Sequence, residues 1–246
     1  MSSETNERRV RAASFGGVAD AYERARPGYP EDAVRWLAGD EPCDVVDLGA
    51  GTGKLTRRLV DQGHRVTAVE PLSEMLDQLR NAVPEATAVA GGAEAIPLEA
   101  ESADVVTVAQ AFHWFDQGPA LVEIARVLRQ GGRVALVWNV RDESHPYVSE
   151  LTDAMVGRTG VDTGSVEPID ASGLFEPVEQ ATFSHVQKVD RESLRELVLS
   201  RSYCAVLSEE EQAPVLESVD AIFMEHARDG ILELPYLTEC FRATRR

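Results

Sequence analysis

Residues 47–54 read Asp47-Leu48-Gly49-Ala50-Gly51-Thr52-Gly53-Lys54, with three alternating glycines after the short apolar run Val45-Val46. Glycine has no Cβ, so such a turn lets a ligand lie directly against the backbone. Two familiar phosphate-binding patterns fail here. A dinucleotide fingerprint needs glycine at position 54, which is Lys54. A P-loop needs four residues before its Gly-Lys pair and Ser or Thr after it. Only Ala50-Gly51-Thr52 separate Gly49 from Gly53-Lys54, and Leu55 follows. Glu70 stands 21 positions after Gly49, at the end of the next apolar run. An acid there is placed to accept hydrogen bonds from both hydroxyls of a ribose. A glycine turn can also serve tight packing, and a strand-end Glu can simply be solvated. Taken together with Asp47, they point to a nucleoside-containing cofactor.

A second group of candidates follows the fourth apolar run. His113 lies three residues past Gln110. A neutral imidazole there could take a proton from a substrate hydroxyl, or could be a structural donor that orients the loop or contacts the cofactor. Trp114 and Phe115 are candidate pocket walls, with core packing as the alternative. Further along, Trp138, Asn139 and Arg141 follow the fifth run, and Arg201 and Tyr203 come from a Ser-Arg-Ser-Tyr segment. Two arginines beside one cavity would suit a carboxylate or another anionic acceptor; the plainer alternative is surface ion pairing. His64, His145, His185 and His226 show no ligand spacing with one another or with Cys43, Cys204 and Cys240, so no metal is assigned.

These residues need elements to position them. Val45–Leu48, Arg65–Val69, Thr87–Ala90, Asp104–Ala109 and Arg133–Asn139 read as strands. Helices alternate with them: one at Glu31, Lys54 to Gln62, one that Ser73 could cap and that runs to about Ala82, and one opened by Pro119 and closed at Gly131-Gly132. This βα alternation predicts a mostly parallel α/β sheet, in which ligands bind beyond the carboxyl ends of the strands where strand order switches. Ala181–Val189 and Pro235–Thr244 read as strands completing the sheet. Between them lie helices near Arg191–Ser200, with Asp190 as cap, and Ser208–Glu225, where Ser208 and Glu211 have capping-box spacing.

The 246 residues carry 24 Lys and Arg against 42 Asp and Glu, a net charge of −18. Such a charge repels phosphate backbones and anionic lipid, and only the short group Arg8, Arg9, Arg11 runs against it. Nucleic-acid and membrane partners are therefore not expected. Three widely spaced cysteines suggest neither a disulfide framework nor a zinc site. Apolar runs such as Val105–Ala109 are too short to span a bilayer, and the first nine residues lack a signal-peptide core. A cytoplasmic protein, monomeric or weakly homodimeric, is expected.

Several segments together resemble the class I S-adenosylmethionine-dependent methyltransferases, nearest to the small-molecule type-11 branch that includes trans-aconitate methyltransferase-like enzymes. They are Val45–Gly53, Val69-Glu70-Pro71 with Met75, Gly92–Pro97, Ala109–Phe115 and Glu123–Gly132, in order over roughly residues 40–140. Phe15–Pro30 resembles that branch's lid segment. The resemblance implies a Rossmann-like, seven-stranded, mostly parallel sheet with one antiparallel strand, helices on both faces and an N-terminal helical lid. It implies a single domain over 1–246, with 1–38 as lid and helix, 39–140 as cofactor core and 141–246 as substrate-side helices and closing strands. S-adenosylmethionine would be the cofactor. Gly49, Ala50 and Gly51 would pack on its methionine part, and Asp47 would hold its ammonium directly or through water. Glu70 would take the ribose, while Pro71 and Met75 flank the adenine. Ala93 would offer its N–H to an adenine nitrogen. Relatives carry Asp before that alanine; here Gly92 stands there, and Glu94 is the nearby acid. Gln110 would face the methyl region, while Tyr22 and Arg26 would cover the sulfonium and pair with the carboxylate. The implied reaction moves a methyl group to a small molecule, onto a hydroxyl or carboxylate oxygen, with nitrogen and carbon acceptors open. Alternatives are a regulatory subunit that binds the cofactor without turnover, a tRNA methyltransferase and a nicotinamide-dependent oxidoreductase.

Overall fold

The computed structural model describes residues 26–156, 165–200, 204 and 207–246. Tyr22, Arg201, Tyr203 and the lid segment ahead of Arg26 lie outside the described residues. In chain order the elements are α1 (Glu31–Ala38), β1 (Asp44–Leu48), α2 (Lys54–Asp61), β2 (Arg65–Glu70), α3 (Ser73–Ala82), β3 (Thr87–Ala90), β4 (Ala103–Ala109), a 3₁₀ turn at Phe112–Trp114, α4 (Gln117–Val127), β5 (Leu128–Arg141), α5 (Pro146–Val156), α6 (Glu167–Ser172), β6 (Glu179–Val189), α7 (Arg191–Leu199), α8 (Glu209–His226) and β7 (Leu232–Thr244).

Seven strands form one sheet in the order β3-β2-β1-β4-β5-β7-β6. β1 pairs in parallel with β2 and β4, β2 with β3, and β4 with β5. β7 runs the other way. The Asp142 N–H donates to the Pro235 carbonyl and the Arg245 N–H to that of Gly132, so numbers along β7 fall as those along β5 rise. The Rossmann-like sheet with one antiparallel strand is as the resemblance implies. From β1 the chain builds outward through β2 and β3, then returns to lay β4 on the other side of β1. That reversal opens a crevice beyond the carboxyl ends of β1 and β4. Burial on both faces of these strands explains their valine-rich runs: Val45, Val46, Leu48, Val105, Val106 and Val108 are all buried.

The residues fall into two compact units. The first takes Gly28–Asn139, Thr238–Arg246 and the described part of Thr163–Phe183. In it α1 packs Ala33, Val34 and Leu37 against Val45, Leu55, Leu59 and Val137. Arg133 closes the far end of α1, donating to the Leu37 carbonyl at 3.0 Å and the Ala38 carbonyl at 2.6 Å. The second unit holds α5, α7, α8 and the strand ends around them, with Leu151, Met155, Leu197, Val219, Phe223 and Tyr236 in its core. Asp190 caps α7 by accepting from the Ser193 N–H, and Ser208 with Glu211 forms the expected capping box on α8.

Local expectations fail in three places. Ser73 is the first helical residue of α3 rather than its cap, and its hydroxyl turns to Glu74. Helix α4 starts at Gln117 and ends at Val127, so Gly131-Gly132 do not close it. Leu128 already pairs with Ala103, which draws residues 128–132 into β5. Helices α5 and α6 were not placed from the sequence; α6 begins after Val166, which makes no side-chain cap bond.

Replacing the fully buried Leu37 with Ala should cost about 2–5 kcal/mol. Its neighbour Arg35, whose side chain is 47 % exposed in a surface ion pair with Glu31, should cost less than about 1 kcal/mol as Ala. Urea midpoints of the two variants check the ranking.

Candidate functional site in the crevice beyond β1 and β4

The glycine turn is fastened to the sheet by its own backbone. The N–H groups of Gly49 and Ala50 both donate to the Val69 carbonyl on β2, at 2.8 and 3.2 Å. Gly49 has φ +69°, and a Cβ there would come within 2.9 Å of the Ala111 Cβ and 3.3 Å of the Phe115 ring. The turn therefore presses flush against the segment that follows β4, which only glycine permits. Gly51, with φ +57°, lies over the Met75 sulfur, 3.8 Å from where its own Cβ would be. Met75 is buried on α3.

Glu70 ends β2, nearly buried, and each carboxylate oxygen accepts one backbone N–H: Oε2 from Gly51 at 2.9 Å and Oε1 from Leu72 at 3.0 Å. Burial pushes this carboxyl up, and the two N–H donors pull it back. A carboxylate has about four lone-pair sites, so both oxygens keep capacity for ligand hydroxyls. Asp47 is different. It has no exposed surface, and its oxygens accept from the Thr56 hydroxyl on α2 at 2.6 Å and the Thr107 hydroxyl on β4 at 3.0 Å. Burial lifts it to about 6, with the charge of Glu70 adding to the effect. The structure thus makes Asp47 an internal anchor of the turn rather than a group displayed at its surface.

On the far side, Ala93 is buried in a tight turn closed by a bridge between Gly92 and Ala95. Glu94 reaches across it. Its Oε1 accepts the Asp116 N–H at 2.8 Å, while Oε2 lies 3.4 Å from where a Cβ at Gly92 would sit. A carboxylate oxygen therefore stands beside position 92 although residue 92 has no side chain. Pro71 is exposed at the head of α3. Glu123 and Arg126 were matched in sequence but given no task. In the structure Glu123 accepts the Ile96 N–H, and Arg126 donates to the carbonyls of Ile96 and Leu98, which clamps the loop after β3.

Gln110 sits just past β4 with φ +57°, a strained conformation for a residue with a Cβ. It is held there by its N–H on the Val137 carbonyl at 3.0 Å and its Nε2 on the Asn139 carbonyl at 3.4 Å. His113 and Trp114 follow in the 3₁₀ turn, both half-buried, with rings 4.6 Å apart. Fully buried Phe112 roots the turn in the core.

Four further expected site residues have partners or surroundings of their own. Asn139 is buried and engaged at both ends of its amide. Nδ2 donates to the Gly28 carbonyl at 2.9 Å and Oδ1 accepts from the buried Thr238 hydroxyl at 2.7 Å. Thr238 was missed, since a single threonine in a strand carries no signal. Trp138 faces the opposite side of β5 from Asn139, because strand residues alternate. It is buried edge-on to Phe241, a core position. Arg26 gives its guanidinium to Ser200 at the carboxyl end of α7, donating to the hydroxyl at 3.2 Å and the carbonyl at 2.9 Å. Arg141 belongs to the second unit, and its Nε donates to the Thr152 hydroxyl on α5 at 2.9 Å. Among the described residues no group of three or more His, Cys, Asp or Glu forms a metal cage.

The crevice suits S-adenosylmethionine. The glycine turn leaves room where a Cβ would intrude, Glu70 offers acceptors to a ribose, and Met75 lies alongside.

The high value of Asp47 has a consequence for stability. The native chain retains a proton that the unfolded chain, with the ordinary value of 3.8, has already released. Stability therefore falls as pH rises from about 4 to about 6, by about 3 kcal/mol in all. Asp47→Asn should raise the urea midpoint at pH 7 to 8, and the gain should shrink toward pH 4. A gain that grows on acidification would contradict the assignment.

Residues 46–136 match the Methyltransferase domain family. An uncharacterized methyltransferase of Mycobacterium tuberculosis is 45 % identical over 98 % of this chain and 99 % of its own. An uncharacterized methyltransferase of Schizosaccharomyces pombe is 37 % identical over 83 % and 84 %. Malonyl-[acyl-carrier protein] O-methyltransferase of Methylococcus capsulatus is 36 % identical over 54 % of this chain and 52 % of that protein. A solved structure from Anaeromyxobacter dehalogenans, named a type II methyltransferase, superposes with a TM-score of 0.65 at 26 % identity, covering 89 % of this chain and 97 % of that one. With a relative this similar along almost its whole length, and with a crevice built for the cofactor, the chain belongs to the class I S-adenosylmethionine-dependent methyltransferases of the type-11 branch.

Proposed function

We propose that the enzyme transfers its methyl group to an oxygen, hydroxyl or carboxylate, of a small-molecule acceptor. The observation that carries this reading is the His113 turn, seated at the carboxyl end of β4 in the segment that presses on Gly49. The relatives named malonyl-[acyl-carrier protein] O-methyltransferase support an oxygen acceptor. S-adenosylmethionine supplies an electrophilic methyl on a sulfonium sulfur. Glu70 accepts from the ribose, the turn at Gly49 to Gly51 lets the backbone close on the methionine part, and Met75 and Ala93 border the adenine, with Glu94 Oε2 beside them. Gln110, fixed in its strained conformation, bounds the methyl region. For a hydroxyl acceptor His113 takes the proton; for a carboxylate acceptor no base is needed. Most of the acceleration then comes from alignment and exclusion of water.

The net charge of −18 favours a small molecule over nucleic acid as acceptor. No described helix is long and apolar enough to cross a membrane, and the three cysteines form no disulfide among the described residues, which suits a reducing cytoplasm. The reading includes one methyltransferase domain, monomeric or weakly dimeric.

Calorimetric titration with S-adenosylmethionine, its demethylated product and NADH, followed by transfer of labelled methyl to hydroxy acids, phenols and amines, tests the proposal. Label in base-labile esters or in ethers is expected; label in amines alone would overturn the oxygen assignment. Glu70→Gln should weaken cofactor binding by about 1–3 kcal/mol, and an unchanged affinity would remove Glu70 from that role. His113→Asn should lower turnover of a hydroxyl acceptor by about 10²–10⁴ with product affinity intact. Lost cofactor affinity instead would make His113 structural.

A further inference from the structure

Strand order lays out the crevice from one end to the other, and all of it lies in the first compact unit. The turn at Ala93 follows β3, Glu70 ends β2, the glycine turn follows β1 and Gln110 follows β4, in the sheet order β3-β2-β1-β4. With adenine at the first of these and ribose at the second, the amino-acid arm of S-adenosylmethionine runs past the glycine turn toward β4. That arm ends in a carboxylate and an ammonium cation. Asp47 is the acid expected for the ammonium, but its oxygens are turned inward onto the Thr56 and Thr107 hydroxyls. It has no exposed surface, so the cation needs another acceptor.

Gln110 has the acceptor that Asp47 withholds. Its Nε2 donates to the Asn139 carbonyl at 3.4 Å. The donor and the acceptor of an amide stand on separate arms, so this bond turns Oε1 away from Asn139. That oxygen accepts from no group among the described residues and is not enclosed. The next residue, Ala111, has its Cβ 2.9 Å from where a Cβ at Gly49 would lie, so Gln110 and the glycine turn share the β4 end of the crevice. Glycine would adopt φ +57° without strain, and a glutamine held there implies a use for its amide. We propose that Gln110 binds the ammonium of the cofactor, which donates a hydrogen bond to Oε1. This rests on S-adenosylmethionine being the cofactor and names the side chain that takes one of its charges. A neutral amide suits a place near the methyl region. A carboxylate there would be a competing nucleophile for the methyl group, whereas an amide oxygen is far less nucleophilic. A hydrogen bond between a cation and a neutral acceptor is still stronger than one between two neutral groups.

The test is calorimetric titration of the full chain with three ligands. They are S-adenosylhomocysteine, its analogue with hydrogen in place of the amino group, and methylthioadenosine, which lacks the whole amino-acid arm. Gln110→Met keeps the length of the side chain and removes the acceptor. It should weaken S-adenosylhomocysteine by about tenfold to a hundredfold, the range of a hydrogen bond to a charged group, and leave the other two ligands nearly unchanged. Gln110→Gly, which relieves the strained backbone, should bring the same selective loss. Retained affinity for methylthioadenosine shows in each case that the crevice is still folded. A loss shared by all three ligands would make Gln110 a structural support only, and an S-adenosylhomocysteine affinity untouched in both variants would remove it from the site. Either result overturns the proposal while leaving the cofactor in place. Failure of the unaltered protein to bind S-adenosylhomocysteine would bring down the cofactor assignment itself.

Discussion

A carboxylate with no exposed surface joins the elements on which the crevice depends. Asp47 is on the innermost strand of the crevice wall, and its two oxygens reach a helix on one side and a neighbouring strand on the other through Thr56 and Thr107. Burying an acid is unfavourable, which its raised value of about 6 records. The same burial gives the two hydroxyl bonds a directionality that apolar packing lacks. It fixes where β1 ends relative to α2 and β4, and so where the glycine turn must begin. Every other part of the crevice is built outward from that point.

Successive layers repeat the device of aiming a polar group with another. Glu70 is aimed by Gly51 and Leu72, Gln110 by Val137 and Asn139, and Asn139 by Gly28 and Thr238. Glu123 and Arg126 hold the loop after β3 without touching the crevice floor. The strained backbone of Gln110 persists because its neighbours over-determine it. A site preorganised in this way needs little rearrangement when a ligand arrives.

Much of this could be read in the amino-acid sequence. Alternating glycines, the acid 21 positions on and the βα rhythm state the fold and the cofactor end, because these local patterns, ambiguous singly, share one physical meaning together. What could not be read depends on pairing between distant strands. That Trp138 and Asn139 face opposite sides is legible from strand alternation, but which side is the core is not. Thr238 matters only because β7 lies antiparallel to β5. Arg26 was expected to pair with the cofactor carboxylate, and no local pattern announces the bonds it makes to Ser200, 174 residues away. The end of α4 was misjudged because pairing of Leu128 with Ala103 outweighed the glycines that would ordinarily stop a helix.

The carboxylate of Glu94 beside Gly92 makes those two positions interdependent over evolutionary change. Its Oε2 lies 3.4 Å from where a side chain at 92 would begin. An aspartate introduced at 92 would bring a second negative charge against the first, and one of the pair would be forced to keep its proton or swing away. Swinging away would release the Asp116 N–H at the head of α4, which Glu94 also holds. A lineage carrying the acid at 92 and one carrying it at 94 are therefore separated by a double step, since either single exchange passes through a chain with two competing acids or with none.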